Sequence, residues 1–119
     1  MRLTPSALLA LLAVEASAQS LTPISTVSYA CAQGKSLVAE YFDGPTRTAP
    51  NGMPIPGGRV VLSLANGAKL TLPQTASGSG IRYANEDESF VFWSKGDTAF
   101  VEEGQGRQTY SDCVGTKKD

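Results

Sequence analysis

The feature that most limits the fold is a series of short segments in which apolar and polar residues alternate with a period of two. The alternation occurs at 27–31, 37–41, 60–64 and 68–72. A period of two gives a strand one buried face and one wetter face. The denser run from Ser89 to Trp93 indicates a strand covered on both faces, and 98–101 and 108–113 are the last two candidates. No helical period of useful length follows residue 18, so we expect an all-β fold.

Turn residues separate these segments. Asn66-Gly67 lies between two alternating runs and predicts a hairpin with a type I′ turn, which needs positive φ at both positions. Gly34 is the expected turn residue between the first two strands, and Asn85 to Glu88 is a polar tip between two further strands. Seven or eight short strands without helices predict a sandwich or a barrel.

The segment 43–58 differs from the rest because it holds four prolines and four glycines. Proline lacks the backbone donor that a sheet needs, so the composition predicts a long irregular loop. Such a loop is either a tolerated surface insertion or an extra arm that contacts a partner.

Residues 1–18 have the features of a secretory signal peptide. Arg2 supplies the positive start, an apolar run covers 8–14, and Ala16-Ser17-Ala18 is a small-residue cleavage site. We therefore expect a domain of residues 19–119 exported to the periplasm. The apolar run is too short to span a bilayer, and no cysteine at the cleavage site offers a lipid attachment point, so no membrane anchor is expected.

The two cysteines agree with export. Cys31 and Cys113 lie near the two ends of the domain, and in an oxidising compartment they are expected to form one disulfide. In the chain-entropy model a loop of this length stabilises the fold by about 4 to 5 kcal/mol. The same bond would connect the first strand to the last, which favours a closed barrel. Without histidine, a CxxC pair or a third thiol, we expect no metal site and no cofactor.

Charge and side-chain inventory favour binding over catalysis. A formal net charge of −1 gives no general attraction to nucleic acid or to anionic membranes. No histidine is present to act as a general base, and the acids at 86–88 are typical of a solvated tip. A nucleophilic pair of Ser79 and Lys95 would need a desolvated lysine, whereas Lys95 lies in a polar Ser-Lys-Gly-Asp turn. We therefore expect no enzyme.

The small residues at 77–80 are the best candidate for a binding site. Ser77, Gly78, Ser79 and Gly80 could present backbone donors and two hydroxyls with no bulk beside them. Lys95 in the neighbouring turn could add one positive charge. The alternative is that this stretch is only a flexible loop and that Lys95 is an ordinary surface lysine.

Three stretches together carry a resemblance to a known family. They are YACAQGKSLVAEYF (29–42), LPQTASGSGIRY (72–83) and FVFWSKGDTAFVEE (90–103), followed by the closing Cys113. They resemble the c-type lysozyme inhibitor family, the membrane-bound and periplasmic inhibitors of Gram-negative bacteria. The resemblance covers about residues 27–113. Because no cysteine offers a lipid attachment site, the chain resembles the soluble periplasmic branch of the family.

The resemblance implies an antiparallel barrel of eight strands that plugs the active-site cleft of a c-type lysozyme. In the family, one serine and one lysine reach the catalytic carboxylates of the enzyme, and these positions match Ser79 and Lys95. The remaining expected lysozyme-binding residues are Ser77, Gly78, Gly80, Arg82 and Tyr83, with Tyr83 and Trp93 shaping the loop. Two other functions stay open: a periplasmic barrel that binds a cell-wall glycan or another small ligand, and an adhesion or stress module with no enclosed site.

Overall fold

The computed structural model describes residues 21–118. The predicted signal peptide and its cleavage site lie outside this range. Ten strands follow one another along the chain: β1 Ser25–Ala30, β2 Ser36–Phe42, β3 Arg47–Thr48, β4 Pro54–Ile55, β5 Arg59–Ser63, β6 Lys69–Thr75, β7 Ile81–Ala84, β8 Phe90–Lys95, β9 Thr98–Glu103 and β10 Arg107–Lys118. Within residues 21–118 no helix has the length and apolar character needed to cross a membrane.

Eight of these strands form a closed antiparallel barrel in the order β1-β10-β9-β8-β7-β6-β5-β2, and β2 pairs with β1 to complete it. Consecutive barrel strands are joined by hairpins, except that β2 connects to its neighbour β5 through the segment 43–58. Strands β1 and β10 come from opposite ends of the domain and close the barrel. Closure removes the exposed strand edges on which other chains could add. The prediction of an all-β barrel of about eight strands is confirmed.

The alternating residues point into the barrel as the period of two requires. The core contains aliphatic and aromatic side chains from all eight barrel strands. Its most buried large members are Phe92, Leu62, Leu72, Val60 and Val101. Strand β8 is covered on both faces, as predicted, because Phe90 and Phe92 face the core while Val91 on the outer face is also buried.

The expected disulfide is present between Cys31 and Cys113. Cys31 directly follows β1, and Cys113 lies within β10, which is the neighbour of β1 in the barrel. The bond therefore joins the first and last barrel strands across 82 residues of sequence. Strand β10 continues past the cysteine, and its residues up to Lys118 pair with β1, so the last strand is longer than the sequence predicted.

The hairpin at Asn66-Gly67 is present, but its predicted type I′ turn is wrong. Gly67 has φ +90°, whereas Asn66 is not among the residues with positive φ. The amide of Gly67 donates to Leu64 O at 3.0 Å, and Leu64 N donates to Ala68 O at 2.8 Å. This pattern is a three-residue loop in which a type I turn precedes a left-handed glycine. Asn66 contributes its side-chain oxygen, which accepts from Ala68 N at 2.9 Å.

The segment 43–58 is also more regular than predicted. It contains the two-stranded hairpin of β3 and β4, closed by a bond from Ala49 N to Met53 O at 2.8 Å. Arg47 fastens this arm to the barrel by donating to Gln74 O at 2.9 Å. The prolines do not prevent pairing, because a two-stranded ribbon has outer edges that need no donor.

Candidate functional site

The candidate loop and the candidate lysine come together at one end of the barrel. The loop 76–80 connects β6 to β7, and the turn Gly96-Asp97 connects β8 to β9. Because β7 pairs with β8 so that Ile81 lies opposite Ser94, the end of the loop lies beside the start of the turn. Hairpin topology therefore places residues that are distant in sequence next to each other.

Gly80 allows this close approach. Its φ is +69°, a left-handed conformation that side chains disfavour. A Cβ at this position would lie 2.9 Å from Ser94 O and 3.4 Å from the Cβ of Lys95. Any larger residue at position 80 would therefore push the loop away from the stem of Lys95.

Ser79 and Lys95 line the same open cleft, which has a volume of about 280 Å³. Its other lining residues are Trp93, Thr98, Ala99 and Phe100. Both Ser79 and Lys95 are exposed. Among residues 21–118 neither the hydroxyl of Ser79 nor the ammonium of Lys95 has a hydrogen-bond or ion-pair partner. The cleft therefore presents one hydroxyl and one positive charge that the chain itself does not use.

Ser77 has a different role from Ser79 within the loop. Its hydroxyl donates to the backbone oxygen of Ser79 at 2.8 Å and accepts from Ser79 N at 3.2 Å. Such local bonds stabilise tight turns of small polar residues. Gly78 is exposed and has nothing within 4 Å of its would-be Cβ. Ser77 thus holds the loop in shape, and Gly78 leaves its outer side free of bulk.

Arg82 is occupied by contacts within the chain. Its guanidinium donates to Thr75 Oγ1 at 2.9 Å and forms an ion pair with Glu88 Oε1 at 2.9 Å. It also lies 5.6 Å from the centre of the Trp93 ring. The geometry places Arg82 as a support for the outer face of β7 and β8 rather than as a free cation beside the cleft.

Tyr83 lies in the barrel core, with only 4% of its surface exposed. Its ring packs against Tyr41 and Phe92 at centroid distances of 5.9 and 6.1 Å. Burial raises the pKa of the Tyr83 hydroxyl above its ordinary value, and the nearby Tyr41 and Asp43 add to this effect. Tyr83 therefore stays neutral and supports the loop from beneath.

A second concavity opens at the mouth of the barrel, with a volume of about 380 Å³. Three tyrosines line it, and the hydroxyls of Tyr29 and Tyr41 lie 2.7 Å apart. Burial and the bond to Tyr41 raise the pKa of Tyr29, so this pair is neutral at physiological pH. Asp97 and Lys117 also line this mouth cavity.

Thr98 and Phe100 line the cleft although the sequence did not mark them as candidates. Thr98 pairs with Lys95 in the β8–β9 hairpin, and Phe100 pairs with Trp93. The sequence contained the information needed to find them. Residues 95 and 98 flank a two-residue Gly-Asp turn, and strand residues two apart share a face. The side chains at 93, 95, 98 and 100 are therefore expected together on the outer face of the barrel.

Comparisons with known proteins agree with one another. A family model described as "Membrane-bound lysozyme-inhibitor of c-type lysozyme" matches residues 29–109. A curated relative, the membrane-bound lysozyme inhibitor of C-type lysozyme of Yersinia enterocolitica, is 46% identical over 48 residues. That match covers 40% of this chain and 38% of the relative, so the two are aligned over less than half of the relative's length.

Among solved structures, the chain is similar to the crystal structure of PliC-St, the periplasmic lysozyme inhibitor of C-type lysozyme from Salmonella typhimurium. The similarity covers 80% of this chain and 100% of that one, with a TM-score of 0.55 and 20% identity. At this identity the likeness concerns the fold, and it agrees with the closed barrel described above.

Proposed function

Because the chain belongs to the family of membrane-bound lysozyme inhibitors of c-type lysozyme, we propose that it is itself a protein inhibitor of a c-type lysozyme and not an enzyme. The single observation that carries the proposal is the cleft in which Ser79 and Lys95 meet. Two polar groups without partners in the described chain are suited to bind acidic groups of another molecule.

The chemistry of the target fits this pair. Lysozyme cleaves its substrate with two carboxyl groups that lie on either side of the scissile bond, roughly 5 Å apart in retaining enzymes. An ammonium and a hydroxyl can donate hydrogen bonds to those oxygens, and bonds to a charged acceptor are shorter and stronger than neutral ones. Lys95 supplies the charge in this proposal, and Ser79 supplies the second donor.

The other expected residues shape the inhibitory loop. Ser77 bonds to the backbone of Ser79, and Gly78 and Gly80 keep the loop thin enough to enter a narrow cleft. Arg82 and Tyr83 act from behind the loop, through the ion pair with Glu88 and through the core. The enzyme would then meet a hydroxyl and an ammonium on a rigid β-barrel.

The proposed location follows from the same function. A lysozyme inhibitor protects cell wall, so we place the mature protein in the periplasm after cleavage of residues 1–18, without a lipid anchor. Intact-mass measurement of periplasmic material tests this placement. A mature chain that begins at Gln19 and has no free thiol supports it, and a chain that retains residues 1–18 contradicts it.

Inhibition assays with purified c-type, g-type and i-type lysozymes test the function. We expect inhibition of c-type enzymes and a stable complex on size-exclusion chromatography with no sugar present. If no complex forms with several c-type lysozymes at micromolar concentrations, the proposal is wrong.

The mouth cavity favours a second candidate, a barrel that binds a cell-wall glycan or another small ligand. Its apolar walls with a few hydroxyls are typical of small-molecule sites. A glycan binder should retain peptidoglycan fragments on its own and should protect them only at stoichiometric excess over substrate. Binding of fragments without a lysozyme complex would favour this candidate over the inhibitor.

A further inference from the structure

The Ser79–Lys95 cleft alone is too small to hold a protein partner. A stable protein–protein interface buries about 800 Å² on each side, which corresponds to roughly 20 residues or more. A thin loop and one lysine supply only the tip of such a contact. If the protein inhibits lysozyme as proposed, the surface next to the Ser79–Lys95 cleft must provide the remaining contact area.

An apolar surface begins in the cleft and runs along the outer face of the barrel. Trp93 on β8 pairs with Phe100 on β9, and their rings stack at 6.0 Å with an interplanar angle of 21°. Both side chains are partly buried and line the cleft together with Ser79 and Lys95. The floor of the cleft is therefore aromatic although its rim is polar.

The surface continues beyond the cleft onto β10, where exposed Val114 shares a depression with the polar Gln108 and Asp112. Thr98 pairs with Val114, whose side chain is 56% exposed. A second shallow depression lies on this side, and Thr98, Phe100 and Val114 are among the residues that line it. We call Trp93, Phe100, Thr98 and Val114 the outer strip. The outer strip is continuous with the Ser79–Lys95 cleft, because Thr98 and Phe100 line both depressions.

The outer strip is better suited to a protein than to a sugar. Sugar rings stack on a free aromatic face, but the Trp93 ring has neighbours on both sides. Arg82 from β7 lies 5.6 Å from its centre, and Phe100 from β9 stacks on the other side. The ring therefore offers a partner only its edge, apart from the Nε1–H, which donates to Glu102 Oε1 at 3.4 Å. Aromatic residues next to a polar rim are typical of the anchor points of protein interfaces.

We propose that the outer strip is the second contact of the inhibitor and that it packs against an apolar part of the rim of the lysozyme cleft while Ser79 and Lys95 occupy the cleft. This inference rests on the proposed function. It assigns Trp93 and Phe100 as the anchors and extends the interface to Val114. It also gives a role to the stacked aromatic pair beside the lysine turn and to the exposed valine on β10.

The single tryptophan of the chain gives a direct probe. Trp93 is replaced by 5-fluorotryptophan, and its ¹⁹F resonance is recorded with and without unlabelled c-type lysozyme and a soluble gadolinium chelate. We expect the resonance to move and its gadolinium broadening to fall at least about twofold, since the partner excludes solvent from the ring edge. Unchanged position and broadening, in a sample that size exclusion shows to be complexed, overturns the inference and leaves the proposed function standing.

Two substitutions test the anchors independently of the probe. Phe100→Ala should weaken inhibition by about 10-fold or more, since truncation of an aromatic anchor commonly costs this much. Val114→Arg adds bulk together with a charge that would favour an acidic partner, so weaker inhibition, about fivefold or more, reports lost packing. Thr71→Arg is the matched control, because Thr71 is an exposed strand residue on β6, four strands from β10 in either direction around the barrel, and should change inhibition less than about twofold.

The outcomes separate the two proposals. Loss of inhibition in Phe100→Ala with an unchanged thermal midpoint supports the outer strip. If Val114→Arg and Phe100→Ala both inhibit as the unmodified protein does, the outer strip is not part of the interface. If the unmodified protein forms no complex with lysozyme at all, the proposed function fails and the inference fails with it.

Discussion

Two polar connections flank the short strand β7, and they use their polar groups in opposite ways. The tip 85–89, between β7 and β8, bonds to itself. Asn85 donates to Ser89 Oγ at 2.9 Å and accepts from Phe90 N at 2.9 Å, and Asp87 accepts from Ser89 N at 3.1 Å. The loop 76–80, between β6 and β7, uses Ser77 to hold its shape, but it leaves the Ser79 hydroxyl without a partner within residues 21–118.

The electrostatics follow the same division. The bonds from Ser89 hold the pKa of Asp87 below its ordinary value, and Glu88 is paired with Arg82. Lys95, next to the loop 76–80, has no acidic neighbour within 4 Å among the described residues. Polar groups that already have partners contribute to the fold, whereas groups without them are available to another molecule. The comparison is why we propose the loop 76–80, and not the tip 85–89, as the connection that binds the partner.

The largest expected effect on inhibition comes from replacing the lysine of the proposed binding site. Lys95→Ala should weaken lysozyme inhibition by about 2 to 5 kcal/mol, because it leaves a buried acidic group of the enzyme without its cation. The thermal midpoint should stay nearly unchanged, since Lys95 is exposed. Inhibition constants and thermal melts measure the two effects. Lys69→Ala, an exposed lysine on β6, is the control and should inhibit normally.

Ser79→Ala should have the next largest effect. Loss of a hydrogen bond to a charged group costs about 1 to 2 kcal/mol, with no change in thermal midpoint expected. In the proposed complex both residues act on one coupled pair of acids, so the double variant should lose less than the sum of the single losses. Strict additivity in the same inhibition assay would show that the two side chains act on separate sites.

In the tip 85–89, Asn85→Ala should have the opposite effect, namely lower stability with unchanged inhibition. It removes bonds to Phe90 N and Ser89 Oγ, so stability should fall by about 1 kcal/mol while the inhibition constant stays the same. Chemical denaturation gives the first value and the lysozyme assay gives the second. If Asn85→Ala impairs inhibition as strongly as Ser79→Ala does, the division between the two connections is wrong.

The smallest effect is expected from the exposed acids of the tip. Changing Glu86 to Gln and Asp87 to Asn should mainly slow association and alter its salt dependence, because exposed charges steer an approaching partner more than they hold it. Stopped-flow association at low and high salt detects this. A change confined to the dissociation rate would place the tip inside the interface.

Much of the fold could be predicted because a period of two directly reports which side chains face the core. The alternation at 37–41 and 60–64 was enough to identify β2 and β5 and their inward residues. The turn at Asn66 was assigned the wrong type because Asn-Gly suits both two-residue and three-residue loops, and strand register decides between them. The hairpin within 43–58 escaped prediction because its two-residue strands give no periodic signal.

For the proposed site, the sequence suggested Ser79 and Lys95 as candidates, but not the surface around them. Residues 79 and 95 share a cleft through the pairing of β7 with β8, which no local pattern encodes. The sequence also did not separate Ser77 from Ser79, since only the structure shows that Ser77 bonds within the loop. Arg82 and Tyr83 follow the loop one residue later, after Ile81. Arg82 faces outward and Tyr83 faces the core because adjacent strand residues alternate.

The most direct measurement is the pKa of the catalytic acid of lysozyme in the complex, followed by NMR on lysozyme labelled with ¹³C at its glutamate carboxyls. In the free enzyme this group has a pKa of about 6. An ammonium beside the carboxylate should lower its pKa, so the value with the unmodified inhibitor should be about 1 to 3 pH units below that with Lys95→Met. Lys95→Met keeps the bulk of the side chain, so both complexes desolvate the acid similarly. The same pKa in both complexes would show that Lys95 does not face the catalytic acid.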